Sequence, residues 1–423
     1  MRDMVRGDIG RGRIGRRALG LAVTAALAAP SAPSRAQPPA ELRLGAVFPL
    51  SGPLALLGDE SFRGVELAVE ERNAAGGVFG RPLRLVRADA PDEAAAAAEA
   101  RRLAAGAERV AAFIGSFASA IALPGSQIAE AAGIPWFEIG AFGDAVVERG
   151  YRWVFRASPH ATDIAVTSIA AVTEVLAPAL ALLPERLRIA VAHEDSPGGQ
   201  SVGAAQEAQG RVLGLTLVER AAYASRAADL NALVQRLRGQ EAEVLLHTGA
   251  PGDELLLFRA MREAGWRPRM VIGTAGGYCL GETARSLGNA LFGAMSVEPA
   301  AFAVNEGHAP GAAAFAEAYL RRYGAEPRSG HSLAACTGAR LFLEALHRAG
   351  GVEKDKVRAA VLALDMAPGT TAAGWGAQFD ERGQNLRAKP IVCQWQGGPN
   401  GLRHVAVHPA PAAVAGAVTR LGV

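Results

Sequence analysis

The side chains of this sequence that could do chemistry stand in loops that follow apolar strands. Ser119 is the clearest case, because it comes just before a helix pattern that begins near Ile121. A serine hydroxyl and the free backbone N–H groups at a helix N-terminus together favour an anion, such as the carboxylate of a ligand. The alternative is that Ser119 only caps the helix. The pattern therefore predicts either a carboxylate contact or a plain N-cap.

The sequence has few signs of catalysis. There is no Walker loop and no histidine pair at metal-ligand spacing on a helix. The segment from Ser196 to Ser201 follows a strand and precedes a helix, as a phosphate cradle would, but it lacks the Gly-x-Gly-x-x-Gly pattern. His193 and His247 each end a strand and fit loop positions. We predict a binding protein rather than an enzyme, with no cofactor and no metal.

Net positive charge belongs to the N-terminal segment and not to the rest of the chain. The whole sequence has 44 basic and 41 acidic residues, a formal charge of +3. Residues 1–36 contain seven arginines and two aspartates, so the remaining 387 residues carry 37 basic and 39 acidic side chains. A near-neutral body has no global basic field for nucleic acid. Its length is enough for two domains of about 150–200 residues each.

The same segment has the order of features of an export signal. Several arginines precede an apolar run at 18–29, and small residues up to Ala36 stand at the spacing that a signal peptidase accepts. We therefore predict a signal peptide over residues 1–36, cleaved near Ala36, and a periplasmic location. The pair Arg16-Arg17 favours the twin-arginine route, with an ordinary secretory signal as the alternative. We expect no other stretch to be long and apolar enough to span a membrane.

Three widely spaced cysteines give no metal or redox motif. Cys279, Cys336 and Cys393 allow at most one disulfide, and no Cys-x-x-Cys or Cys/His spacing suggests a metal. We predict that all three are buried structural residues.

Strand and helix patterns alternate almost to the end of the chain, which favours parallel sheets covered by helices. Leu42–Phe48 is short and apolar, as a buried strand should be. Asp89 is placed to cap the helix that follows the second strand. Near the end, Gly376–Phe379 and Lys389–Trp395 have the pattern of the two strands of a hairpin.

Two lobes built from non-contiguous segments account for this alternation. The predicted fold class is α/β, with two Rossmann-like lobes joined by about three hinge crossings. We place the N-terminal lobe at 41–157 plus 296–374, the C-terminal lobe at 158–295 plus 375–407, and a loose tail at 408–423.

Short motifs along the chain occur in the order and spacing of one known family. They are Pro49-Leu-Ser-Gly-Pro53, Asn73-Ala-Ala-Gly-Gly77, Ile114-Gly-Ser-Phe-Ala-Ser119, Gly133-Ile-Pro135 and Phe379-Asp-Glu-Arg-Gly383. Together they resemble the branched-chain amino acid (Leu/Ile/Val)-binding family of ABC transporter periplasmic substrate-binding proteins. The resemblance implies the type I periplasmic binding protein fold, in which two lobes close over a solute and the closed form docks on a membrane permease.

The resemblance also implies which residues face the ligand. Ser119 matches the residue that contacts the ligand carboxyl group, and Gly140 matches a backbone contact. Where the amino-acid binders have a hydroxyl this chain has Phe142, and Ala275 stands near the expected acid. The implied ligand-binding residues are Ser119, Ala118, Gly140, Phe142, Leu57, Gly198, Ala250 and Ala275.

The solute should differ from an ordinary α-amino acid. Expected aromatic residues are missing near Gly198 and in the loop that contains Ala250. A buried ammonium group without a carboxylate or an aromatic face is costly. We expect a small carboxylate, an amide or an aromatic acid, with an amino acid still possible. Alternative polar contacts are Glu138, Glu194, Asp195, Asp253 and Tyr278.

Partners follow from the same resemblance. We expect a monomer that delivers a small-molecule solute to an ABC permease in the inner membrane, with no nucleic acid partner. A periplasmic ligand sensor of the same fold, signalling to a separate partner, stays open as the alternative function.

Overall fold

Two sheets organise the part of the chain that the computed structural model describes, residues 40–399 and 401–422. The signal peptide predicted over residues 1–36 lies outside the described residues. The strands are β1 (Leu42–Phe48), β2 (Leu83–Asp89), β3 (Ala112–Gly115), β4 (Trp136–Glu138), β5 (Val154–Arg156), β6 (Ile189–Glu194), β7 (Leu217–Tyr223), β8 (Val244–Gly249), β9 (Met270–Ala275), β10 (Met295–Glu298), β11 (Asp365–Met366), β12 (Ala377–Gln378), β13 (Ile391–Gly398) and β14 (Gly401–His408).

Helices cover both sheets. They are α1 (Ala55–Ala74), α2 (Glu93–Ala104), α3 (Ser119–Ala132), α4 (Ala145–Glu148), α5 (Ala161–Ala170), α6 (Ala177–Ala179), α7 (Pro197–Val212), α8 (Asn231–Gly239), α9 (Asp253–Ala264), α10 (Gly281–Leu287), α11 (Ala312–Tyr323), α12 (His331–Arg348) and α13 (Lys354–Leu362). A π-helical stretch, Ala171–Leu176, joins α5 to α6, and short 3-10 turns lie at 106–108, 184–186 and 288–291.

The first sheet is parallel, with the strand order β2–β1–β3–β4–β5. Central strand β1 is apolar and buried at six of its seven positions, whereas edge strand β2 alternates apolar residues with charged ones. This difference follows from position, because a central parallel strand is covered on both faces. We call this sheet, with α1–α4 and α11–α13, the first lobe.

The second sheet has the order β14–β13–β10–β9–β8–β6–β7. Strands β7, β6, β8, β9 and β10 are parallel, and β13 and β14 add an antiparallel edge. We call this sheet, with α5–α10, the second lobe. Its two faces carry separate apolar clusters, one under α5 and the π-helical stretch and one under α8 and α9.

The chain passes between the lobes three times, at residues 157–160, 299–311 and 379–390. The α/β fold with two lobes and about three crossings is therefore confirmed. Strand β10 is hydrogen-bonded in the second sheet, and the predicted lobe boundaries stay a prediction.

Two local predictions are wrong, each for a physical reason. The predicted hairpin does not form, because β12 pairs with β11 and β13 pairs with the later strand β14. The cap of α2 is Asp92, whose carboxylate accepts the N–H of Ala95 at 2.8 Å. Asp89 instead accepts the N–H groups of Leu50 and Ser51, which fixes the loop after β1.

The chain end from 408 onwards also differs from the loose tail that the sequence favours. The Gln394 amide donates to the carbonyl of Val418 at 2.7 Å and accepts its N–H at 2.8 Å. Ala412 is fully buried. This tail therefore packs along the antiparallel edge of the second sheet.

Within the described residues, one helical stretch is long and apolar enough to cross a membrane, contrary to the sequence expectation. It covers Ala161–Ala179, 19 residues with a mean hydropathy of 1.3. Over half of this stretch is buried, and its residues Ile164, Ile169 and Val172 pack in the core beneath the second sheet. The burial is that of a core helix.

Candidate ligand-binding site

A cavity of about 640 Å³ lies between the two lobes. The loops after β1, β2, β3 and β4 line it from the first lobe, and the loops after β6, β7, β8 and β9 line it from the second. Parallel strands bring their carboxyl ends to one edge of a sheet, and this is where open α/β sheets bind ligands. The topology thus places two such edges face to face.

Most residues implied by the family resemblance meet at this cavity. Six of the eight line it: Ala118, Ser119, Phe142, Gly198, Ala250 and Ala275. Gly140 lines a smaller neighbouring cavity of about 50 Å³, whose wall also contains Phe142 and Ala275. Leu57 lines neither cavity, because it lies fully buried in an apolar cluster with Cys279 and Leu280. The ligand contacts of all eight residues stay a prediction.

Ser119 is the first residue of α3 and not its cap. Ala118 occupies the cap position, and no side chain caps this helix. The Ser119 hydroxyl oxygen accepts the N–H of Gly143 at 3.0 Å, so its hydrogen remains to donate elsewhere. The first turn of α3 also contains no acidic residue. The helix therefore presents an uncapped, partially positive end to the cavity.

Phe142 and Gly198 face each other across the cleft. A Cβ atom placed on Gly198 would lie 2.9 Å from Cε2 of Phe142 and 3.2 Å from the Ser119 hydroxyl oxygen. The ring from the first lobe therefore fills the space that a side chain at 198 would need. An aromatic ring therefore lines this part of the cleft from the first lobe, opposite a position that has no side chain.

Two buried charged residues hold the loop that carries Phe142. The Glu138 carboxylate accepts the N–H groups of Ile139, Gly140 and Ala141 at 2.8–3.0 Å. It also accepts the N–H of Ser116 at 2.6 Å, which ties this loop to the one before α3. Glu138 is fully buried, so it positions the wall and does not meet the ligand.

Arg156 holds the Phe142 loop through the carbonyl groups on either side of the ring. Its guanidinium donates to the carbonyl oxygens of Ala141 and Gly143 at 3.2 and 2.7 Å, and to the Gln384 side chain at 2.6 Å. Burial lowers the pKa of Arg156 to about 10, so it stays charged at neutral pH. Because Gln384 lies in the third crossing, the Phe142 loop is coupled to a segment between the lobes.

A hydrogen-bonded chain of four side chains holds the loops of the second lobe. The Tyr223 hydroxyl donates to the Asp253 carboxylate at 2.8 Å and lies 2.9 Å from Nε2 of His247, while Nδ1 of His247 lies 2.6 Å from the Tyr278 hydroxyl. Since Tyr223 gives its one hydrogen to Asp253, Nε2 of His247 must carry the ring hydrogen and Nδ1 must accept from Tyr278. Burial lowers the pKa of His247 to about 3, consistent with a neutral ring.

The acids suggested as substitute ligand contacts are already engaged within the protein. Asp253 also accepts the N–H of Ala250 at 2.9 Å. Glu194 accepts the N–H of Ser196 at 3.0 Å and the hydroxyl of Ser225 at 2.6 Å. Asp195 accepts the backbone N–H of Ser225 at 2.7 Å. These carboxylates shape the second-lobe wall.

Ala275 sits at the end of β9 with a φ of +55°. This left-handed region is unfavourable for a residue with a Cβ. Gly276, which follows, has a φ of +64°. The sharp turn lets the loop contact both cavities without placing a long side chain in either.

Four polar residues that line the cavity were not named from the sequence. Asp92 and Glu93 lie at the start of α2, and Ser225 and Arg226 follow β7. Their loops follow the edge strands of the parallel part of each sheet. The strand-end rule that found the other loops applies to them equally.

Comparison with known proteins places the chain in a family. A family model described as "Periplasmic binding protein" matches residues 41–399. The chain belongs to this family. The resemblance to its branched-chain amino acid-binding members is also confirmed by curated relatives. Members of the family bind solutes and are not enzymes, and the family implies a periplasmic location.

Two relatives cover nearly the whole chain. "Leu/Ile/Val-binding protein homolog 7" from Brucella suis is 42% identical over 391 residues, 92% of this chain and 96% of that protein. "Leu/Ile/Val-binding protein homolog 8" from Brucella abortus is 41% identical over 377 residues, 89% of this chain and 92% of that protein. This periplasmic binding protein therefore matches them along almost their full length.

Solved structures share the fold at lower identity. The leucine binding protein LivK from Thermotoga maritima superposes with a TM-score of 0.74 at 21% identity, covering 87% of this chain and 99% of that one. LivJ from Streptococcus pneumoniae, in complex with isoleucine, gives 0.71 at 20% identity, covering 87% of this chain and 100% of that one. The likeness shows the type I periplasmic binding protein fold.

Proposed function

We propose that this protein is the solute-binding component of an ABC importer and that its solute is a small carboxylate with an apolar or aromatic body. The observation that supports this most directly is the uncapped N-terminus of α3, with Ser119 in its first turn, at the cavity between the lobes. Backbone N–H groups, the helix dipole and a hydroxyl hydrogen together favour a carboxylate.

The opposite wall gives less support for an amino group on the solute. Ala275 stands where amino-acid binders have an acid, and Glu194, Asp195 and Asp253 accept hydrogen bonds from the protein itself. An ammonium group there would lose water without gaining a free carboxylate. The names of the relatives point to leucine, isoleucine and valine, so the presence of the amino group is the property to test.

A thermal-shift screen with matched ligands separates these possibilities. Leucine, its deaminated analogue isocaproate and the corresponding isocaproamide share one apolar body and differ only in the polar end. A ligand that binds only the folded state raises the melting temperature. We expect isocaproate, or an aromatic acid such as phenylacetate, to give a larger shift than the amide and than leucine. The largest shift with leucine, isoleucine or valine would contradict the proposed solute class.

Ser119→Ala tests the proposed carboxylate contact. A hydrogen bond to a charged group contributes about 1.5–3 kcal/mol, so we expect the best carboxylate to bind at least about tenfold more weakly. Isothermal titration calorimetry measures this directly.

Ser126→Ala is the matched control on the same helix. Ser126 is also buried, but its hydroxyl bonds to the Ala122 carbonyl and to Arg149, away from the cavity. We expect this variant to lose stability and to keep its affinity. Equal affinities of Ser119→Ala and the unchanged protein would remove Ser119 from the site.

Delivery to a permease in the inner membrane, action as a monomer and export through a cleaved signal peptide belong to the same proposal. Closure of the lobes is useful for delivery only if the solute binds the closed form more tightly than the open form. Stimulation of the importer's ATPase by the solute-loaded protein, and not by the empty protein, is the expected readout.

A further inference from the structure

Three metal-ligating side chains of different chemistry converge where the two lobes meet. Cys279 lies in the loop after β9, Glu298 ends β10, and His331 begins α12 of the first lobe. One ligand atom from each lies within 4.8 Å of the other two. Cys279 and Glu298 are buried and His331 is half-buried. The proposed solute function uses none of the three.

The closest pair already has the spacing of two ligands on one metal ion. The Cys279 sulfur lies 3.7 Å from Nδ1 of His331. Tetrahedral zinc with Zn–S of about 2.3 Å and Zn–N of about 2.0–2.1 Å separates sulfur and nitrogen by about 3.5 Å. A carboxylate oxygen of Glu298 lies within 4.8 Å of both atoms, close enough to be the third ligand.

We propose that Cys279, Glu298 and His331 bind one Zn²⁺-like divalent cation. Thiolate, imidazole and carboxylate are the ligand types that zinc takes in proteins, whereas magnesium and calcium prefer oxygen alone. No sequence motif indicates this site, because positions 279, 298 and 331 come together only in the folded chain.

A fourth position is available for water. Glu298 and His331 line the small cavity of about 50 Å³, which exceeds the roughly 10–15 Å³ that one water needs. The Thr274 hydroxyl lines the same cavity and, among the described residues, is buried without a hydrogen-bond partner. A metal-bound water would give this hydroxyl a partner.

The surroundings of the cluster are apolar. Leu57, Leu280 and Phe117 pack around it. A divalent cation bound there would balance the charge of one carboxylate and one thiolate, with release of their protons on binding.

The cation would join the lobes, because two ligands belong to the second lobe and His331 to the first. Binding should therefore stabilise the arrangement in which the lobes are in contact. This inference does not depend on the identity of the solute.

Metal titration of tag-free protein tests the site. After treatment with a chelator, the protein is titrated with Zn²⁺, Co²⁺ and Mg²⁺, followed by elemental analysis and thermal unfolding. We expect one equivalent of Zn²⁺ or Co²⁺, a higher melting temperature, a thiolate-to-cobalt charge-transfer band, and no effect of Mg²⁺. The proposal would be overturned if the unaltered protein showed no charge-transfer band with cobalt, or if it retained no zinc after dialysis. Either result would decide the matter without the variants.

Variants then assign the ligands. Cys279→Ser and His331→Gln should each weaken zinc binding by more than about 100-fold, beyond the loss typical of outer-shell changes. Cys336→Ser is the control. Cys336 lies in α12, the helix that begins with His331, and its thiol is fully buried but outside the cluster. It should keep both zinc and the cobalt band. Unchanged binding in Cys279→Ser, or loss of the band in Cys336→Ser, would overturn the assignment.

Discussion

The two walls of the cavity are built on different physical principles. The first-lobe wall presents an uncapped helix end, a hydroxyl and an aromatic ring, and Glu138 and Arg156 hold the loop that carries the ring. The second-lobe wall presents mostly small residues, with Ser225 and Arg226 at one side, and its acids and aromatic hydroxyls hold its own loops. We infer that the first wall recognises the solute and that the second closes over it.

The contrast is sharpest where the walls meet, at Phe142 and Gly198. Gly198→Leu would push a side chain into the Phe142 ring, since a Cβ atom alone would lie 2.9 Å from it. Overpacking costs about 1–3 kcal/mol, and 1.4 kcal/mol is tenfold. We expect solute affinity to fall about 10- to 100-fold by calorimetry.

The double variant Phe142→Ala with Gly198→Leu is the control for this effect. It removes the ring that the new side chain would meet, so part of the lost affinity should return. If the double variant binds no better than Gly198→Leu alone, the two residues do not compensate each other across the cleft.

Acid should destabilise the loops of the second-lobe wall, held by His247, before those of the first-lobe wall, held by Arg156. The pKa of His247 is lowered to about 3 and that of Arg156 to about 10. Between pH 6.5 and 3 the unfolded chain binds a proton at His247 that the folded chain lacks. The free energy of unfolding is therefore at its full value above pH 6.5 and declines as the pH falls through this range. Arg156 keeps its charge throughout. One such proton changes the free energy of unfolding by up to about 1.4 kcal/mol per pH unit.

Urea unfolding at several pH values measures this effect. His247→Gln, which cannot titrate, should show a flatter decline below pH 6.5 than the unchanged protein. Hydrogen exchange corrected for intrinsic rates should rise at pH 5 in loops 249–253 and 275–279 more than in loop 140–144. Equal changes in both walls would contradict the assignment of His247 as the acid-sensitive anchor.

Ala275 allows the smallest test of the second wall. Its φ of +55° is strained for alanine and free for glycine. Ala275→Gly should therefore raise the free energy of unfolding by up to about 1 kcal/mol. Ala250→Gly, in the neighbouring loop without a positive φ, should lower it by roughly 0.5–1 kcal/mol. If both variants changed the free energy of unfolding in the same direction, backbone strain at Ala275 would not be the explanation.

Sequence patterns predicted the alternating fold and the loops around the cavity, because both depend on local hydrophobic periodicity and on the strand-end rule. Strand β1 spans the predicted residues Leu42–Phe48. The hairpin was wrong because strand partners are chosen over long distances, so β12 paired backwards with β11. The cap of α2 was wrong because Asp89 and Asp92 are both close to its start and only the folded loop distinguishes them.

Side-chain networks between distant positions were beyond prediction. Phe142 and Gly198 were each recognised as departures from the family pattern, but their contact across the cleft appears only in the fold. The same holds for the Tyr223–His247–Tyr278 chain. Leu57, which the resemblance places among the ligand contacts, packs against Cys279 and Leu280, a neighbourhood that no sequence pattern predicts.

A crystal structure of the protein with the best carboxylate from the ligand screen tests the central claim most directly. The account predicts the solute between the lobes, with its carboxylate within hydrogen-bond distance of the Ser119 hydroxyl and the first N–H groups of α3. A solute bound outside this cavity, or one whose carboxylate faces the second-lobe wall, would contradict it.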